Sequence, residues 1–155
     1  MRGLDPEEKT FAWKMTQDML GVGARQHRKG AHRECTRLTG KRIECNTLET
    51  LEHRLFLCES VKSSTKGVLQ ILGGLMGRDV DIKEVLCLNL THRRKSTLIL
   101  SIWFTVKSMI RIFNANCLTK QLLFKEIADE IKWHLDQNSS IGSVVDMKSL
   151  LETLE

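Results

Sequence analysis

The sequence predicts a mostly α-helical chain with a small irregular Cys/His segment inserted near the front of a helical bundle. Three observations carry this. Apolar residues recur at helical spacing over most of the 155 residues. One proline, Pro6, and no tyrosine make a poor composition for a loop-rich β-sandwich. A single stretch, residues 25–58, gathers both positive charge and candidate metal ligands, and its first part, 25–42, breaks the helical pattern.

The elements follow in order. Asp5, Pro6 and Glu8 have the sequence form of a capping box with proline at the first helical position. Phe11, Met15 and Met19 then mark one apolar face, so a helix is expected over 5–20, stopped by Gly21 and Gly23. Residues 25–42 hold Gly30 and Gly40 and almost no apolar periodicity, so mostly loop is expected. Leu48, Leu51 and Leu55 restore helical spacing up to about Cys58. A second short helix is expected from about 60 to 72, with Val61, Val68, Leu69 and Leu72 inward and "GGLMG" at 73–77 breaking it. Residues 81–88 read as a short helix or turn with Ile82, Val85 and Leu86 on its apolar side.

The second half is more regular. In 94–113, Leu98, Ile102, Val106, Met109 and Phe113 form one stripe, while Leu100 and Phe104 cover the opposite side. A helix apolar on both sides belongs in the middle of a bundle. Residues 118–136 point Phe124, Ile127, Ile131 and Leu135 inward, with Lys125, Glu126 and Glu130 outward. "DQNSSIGS" is a linker to a last short helix, Val144–Leu154. The chain thus divides into a front portion, 1–60, a helical bundle, 61–137, and a linker with a terminal helix, 138–155. Met15, Met19, Met76 and Met109 read as packing, Cys87 and Cys117 as core thiols, and Trp13 as a core or boundary residue.

Composition limits the function classes. Hydrophobic residues at 41% and charged residues at 28% describe a globular chain rather than a disordered one. "MRGLDPEEKTFAWK" has no apolar h-region, and the longest apolar run, 98–106, is too short to span a bilayer. No membrane association is expected. Five cysteines, an odd number without an export signal, are better read as reduced thiols or metal ligands than as a disulfide framework. A nuclear or cytoplasmic setting is expected.

Four residues have the chemistry of a metal site. Cys35, Cys45, His53 and Cys58 follow the spacing C-x9-C-x7-H-x4-C, and structural zinc takes four thiolate or imidazole ligands in a tetrahedron. On a continuous helix His53 and Cys58 would stand roughly 140° apart, so the helix has to end or loosen between them. The nine-residue gap between Cys35 and Cys45 is wide for a zinc hairpin, and His32 is the substitute for Cys35. The competing reading is an amphipathic helix that happens to carry two thiols. A filled tetrahedron leaves no position for an activated water, so such a site is structural.

Just before it, residues 25–42 carry Arg25, Arg28, Lys29, Arg33, Arg37, Lys41 and Arg42 against one acid, Glu34. That is +6 in a chain of net charge +5, leaving −1 for the remainder. Side chains of this kind meet the phosphate backbone of RNA or DNA without reading its sequence; an acidic protein surface would also satisfy them. No Gly-rich phosphate loop, HExxH or Gly-x-Ser-x-Gly motif is present, so no catalysis is expected. A Cys58 nucleophile paired with His53 lacks an orienting third group and competes with metal binding.

The stretch "LDPEEKTFAWKMTQDML", the following "RKG", the two cysteines and "LETLEHRLFLC" together resemble the C-terminal zinc-binding domain of reverse transcriptases from non-LTR (LINE-type) retrotransposons. Glu49-Thr50, His53 and Cys58 match in identity and spacing, Cys45 stands the expected distance before His53, and Phe11 and Trp13 stand where the leading helix carries its aromatics. The later "ILSIWFTVKSMIRIF" is similar to the tryptophan-containing helix that often follows. The resemblance covers about residues 4–115 and implies a zinc-stabilised, nucleic-acid-associated, non-catalytic piece, with Glu49 and Thr50 supporting the ligands or starting the helix. One departure stands out. The family's first cysteine would fall on Lys41 or Arg42, so either Cys35 serves through a longer loop or the site is degraded. The alternative is a metal-free helical protein-interaction module or an inactive transposon-derived relic.

Overall fold

The computed structural model describes residues 3–26, 33–38, 43–137 and 144–155, and among them it is helical with no regular strand. The order is α1 (Pro6–Thr16), α2 (Gly23–Gln26), a π-helical turn (His53–Leu57), α3 (Lys62–Met76), α4 (Ile82–Leu86), α5 (Lys95–Asn114), α6 (Lys120–Gln137) and α7 (Val144–Leu154). The expected fold class, helical with the Cys/His group ahead of the later helices, is what forms.

Local chemistry sets the helix starts. Asp5 accepts from the Glu8 backbone N–H at 2.8 Å while Glu8 accepts from the Asp5 N–H at 2.9 Å, closing the predicted capping box. Asp81 and Glu84 repeat the device at α4. The stops are less legible. α1 ends at Thr16 rather than near 20, because Asp18 turns into the left-handed region at φ 50°; Met19 is left exposed and Trp13, 54% exposed, sits on the surface rather than in the core. α3 runs through Gly73 and Gly74 and stops at Gly77, whose φ of 68° is the left-handed helix-ending conformation that glycine adopts without penalty. Burial of Ile71, Leu72 and Met76 holds the helix through the glycine pair.

α5 is the central element. It packs against α1, α3, α6, α7 and the π turn, and Leu100, Trp103, Phe104, Val106, Met109 and Ile112 are buried along it. It is long and apolar enough to cross a membrane by length and composition alone, but here it serves as a core helix, with 56% of its most apolar window buried. Phe11 of α1 meets Phe113 edge-on at 5.7 Å. Trp103 Nε1 donates to the Gly3 carbonyl at 3.1 Å.

Two expectations about α5 and its neighbours are corrected. Glu130 is not a solvated outward residue. It folds over Lys107, which is buried on α5 and reaches Glu8 at 2.5 Å and Glu130 at 2.6 Å. Cys87 and Cys117 are exposed, not core thiols: Cys87 terminates α4 and Cys117 lies in the turn between α5 and α6, where neighbouring Val85 and Leu118 take the buried positions.

α3 and α6 approach closely at Gly67, where an added Cβ would stand 2.9 Å from Phe124 Cζ. Gly67→Ala is therefore expected to destabilise the fold by about 1–3 kcal/mol through overpacking. Urea unfolding checks it, and Gly74→Ala, where nothing lies within 4 Å, is the control.

Candidate metal centre

The Cys/His segment is built from two extended arms and a distorted helical turn. Residues 33–38 and 43–49 run antiparallel, with bridges Glu34–Leu48 and Leu38–Glu44 in a single register. Backbone bonds from Cys35 N–H to Thr47 O (2.7 Å) and Cys45 N–H to Arg37 O (2.8 Å) hold that register, and Asn46 N–H donates to Cys35 O (3.0 Å) one residue out of it. This resolves the wide gap between the first two cysteines: the arms fold back on each other and set Cys35 and Cys45 side by side.

Asn46, left-handed at φ 53°, turns the chain directly after Cys45. Cys45 Sγ also lies 3.5 Å from Thr47 Oγ1.

His53 and Cys58 come from the other side. Thr50 Oγ1 accepts the His53 backbone N–H at 3.1 Å and so starts the turn. The turn then widens: Cys58 N–H donates to His53 O, five residues back, at 2.9 Å. Cys58 itself is extended, at φ −64° and ψ 128°. The loosening that the H-x4-C spacing requires is thus a π turn followed by helix exit, a distortion frequent at functional sites. It aims His53 and Cys58 at one point.

The resulting geometry suits an ion. The ligand atoms of Cys35, Cys45, His53 and Cys58 all lie within 4.8 Å of one another. Cys35 Sγ and Cys58 Sγ are 3.8 Å apart, and Cys45 Sγ and His53 Nε2 are 3.5 Å apart. Tetrahedral zinc, with Zn–S near ~2.3 Å and Zn–N near ~2.0 Å, places sulfur pairs about 3.8 Å and sulfur–nitrogen pairs about 3.5 Å apart. Cys35, Cys58 and His53 are buried and Cys45 is half-buried. His32, the substitute ligand, lies outside the described residues, and with Cys35 in place the four-ligand set needs none.

Protonation follows from the packing. Burial, together with the adjacent Cys58 and Cys45 sulfurs, pushes the Cys35 thiol up to about 12 despite the Arg37 N–H bond. Burial also raises Cys45, but hydrogen bonds from Thr47 outweigh it and hold that thiol below its usual value. Burial and the nearby Arg37 charge hold His53 below the usual imidazole range, so it is neutral and ligand-ready at pH 7.

The two acid and hydroxyl residues of the motif are now placed. Glu49 is buried: Oε1 accepts from Gly23 N–H and Oε2 pairs with Arg54, both at 2.9 Å. It is a clasp between α2 and the turn, not a ligand.

Only part of the basic stretch falls among the described residues. Arg33 is exposed, while Arg25 falls in α2. Arg28, Lys29, Lys41 and Arg42 lie outside the described residues. Arg37 is a correction. It is 1% exposed and donates to the carbonyls of Arg54, Ile112, Phe113 and Ala115, the last at 2.8 Å. It caps the negative end of α5 and has no face for a phosphate. Arg54 joins it, with Nε on Phe113 O at 2.9 Å and its guanidinium 4.6 Å from the Phe113 ring centroid. The sequence reading gave Arg37 a phosphate-binding role and missed Arg54 altogether. One signal was present, since Arg37 stands two residues from Cys35 and so shares its face of an extended arm.

Fold and site together define a helical protein with a Cys3His group positioned to bind a metal ion. No model of a known protein family matches the chain, and neither the curated proteins nor the solved structures contain a significant match to it.

Proposed function

We propose that this chain is a zinc-stabilised, non-catalytic helical domain that associates with nucleic acid, akin to the tail of a non-LTR retrotransposon reverse transcriptase. The observation that carries the zinc reading is the convergence of the Cys35, Cys45, His53 and Cys58 ligand atoms within 4.8 Å, with the Cys35–Cys58 and Cys45–His53 pairs at the separations of a zinc tetrahedron. Four protein donors fill such an ion's coordination, so its role is to fold the segment rather than to activate water. Reduced cysteines at the site fit a nuclear or cytoplasmic setting.

The nucleic-acid part rests on the remaining charge. With Arg37 withdrawn, residues 25–42 still hold six Lys/Arg against Glu34, a net +5. Trp13, exposed on α1, is available to stack on an unpaired base. A protein partner is the second reading, favoured by exposed Leu38, Ile43, Leu48 and Leu57 in the metal-bearing segment.

Native mass spectrometry is expected to find one zinc per chain, absent after His53→Ala. Binding to single-stranded oligonucleotides is expected to weaken steeply with salt. A metal-free native mass removes the zinc reading, and no oligonucleotide binding at low salt leaves the protein-interaction reading in its place.

A further inference from the structure

We propose that Arg37 is the counter-cation of the metal centre, and that through it the ion and the C-terminal end of α5 act as one linked unit. This rests on the reading of the site as one divalent ion held by three thiolates and a neutral imidazole. Such a centre carries a net charge of −1. A single negative charge in a buried site is costly unless a positive group is buried beside it.

Arg37 meets that requirement. Its guanidinium is buried, it stands two residues after Cys35 on the same extended arm, and it donates to the carbonyl of Arg54, the residue next to His53. Among the described residues no carboxylate forms a salt bridge with it, whereas the neighbouring Arg54 is answered by Glu49 at 2.9 Å. The charge of Arg37 is therefore free to balance the thiolates. Its N–H groups donate to the Arg54, Ile112, Phe113 and Ala115 carbonyls, so one side chain beside Cys35 ties the turn that carries His53 to the end of α5. Loading the ion balances a buried cation, and the seated cation completes the helix cap.

Cobalt and zinc titrations of the intact chain test this with Arg37→Met and Arg37→Lys. Arg37→Met is expected to weaken zinc binding by about 10–100-fold, the usual cost of losing a group that supports metal ligands. It is also expected to move the thiolate-to-cobalt charge-transfer band to lower energy, because electron density leaving sulfur no longer leaves a neighbouring positive charge. Arg37→Lys, which keeps the charge but loses the fork, is expected to hold the band near its wild-type position.

Wild-type affinity and an unshifted band in Arg37→Met reduce Arg37 to a helix cap and overturn the inference alone. If Arg37→Met does not fold, Arg37→Lys decides: a retained band supports the counter-cation, and a red-shifted band rejects it. No cobalt or zinc uptake by the wild-type chain overturns the metal reading and this inference together.

Discussion

Chelating the ion is expected to lower the stability of the domain by about 4 kcal/mol when free zinc stands a thousandfold above its dissociation constant. For a chain of this size that is a fall in Tm of roughly 10 °C. The reason is local. The described residues of the segment 33–58 form two short extended arms and one wide turn. An ion that joins Cys35 and Cys45 on the arms to His53 and Cys58 on the turn converts binding energy into folding energy.

His53→Ala is expected to abolish most of the zinc-dependent increment. The increment should also shrink as pH falls from 8 to 5. Zinc must displace the proton from Cys35, which metal-free burial holds up to about 12, so affinity rises with pH. Burial and Arg37 hold His53 below the usual imidazole range, so its contribution persists through neutrality and is lost as pH falls through that lowered value. Calorimetry with and without chelator across that range checks both statements; an increment independent of pH contradicts them.

Replacing Lys107 by alanine is the second large effect, expected to cost about 3–5 kcal/mol. Its side chain is 5% exposed, and those of its partners Glu8 and Glu130 are 16% and 20% exposed, so neither carboxylate has full access to water. Removing the ammonium leaves two like charges in one poorly solvated place. Arg111, which also reaches Glu130, relieves only part of this.

The pH dependence separates this cause from lost packing. Burial pushes the Glu130 carboxyl up, but the Lys107 hydrogen bond and the Arg111 charge outweigh it and hold the group below its usual range. A depressed carboxyl gives stability present above its unfolded value near 4.5 and lost as pH falls through the folded one. The gap between wild type and Lys107→Ala, measured by urea unfolding, is therefore expected to be widest near pH 7 and to narrow below about pH 4. A gap constant with pH would mean the lysine stem, not its charge, carries the effect.

Much of this molecule is determined by residues close together in sequence. The capping boxes at Asp5–Glu8 and Asp81–Glu84, the apolar stripes of α5 and α6, and the need for a break between His53 and Cys58 depend on neighbours within a turn or two. The four candidate ligands were also legible, because thiols and an imidazole at loop-forming spacing have few other uses. Tertiary structure decided the rest. The arm register that closes the nine-residue gap is a pairing of two neighbouring extended segments that no helical spacing announces. The burial of Arg37 under carbonyls 75 to 78 residues away and the folding of Glu130 onto Lys107 lie across the chain. A charged side chain looks the same in sequence whether water or a buried partner solvates it, and only packing against distant segments sets which of these occurs.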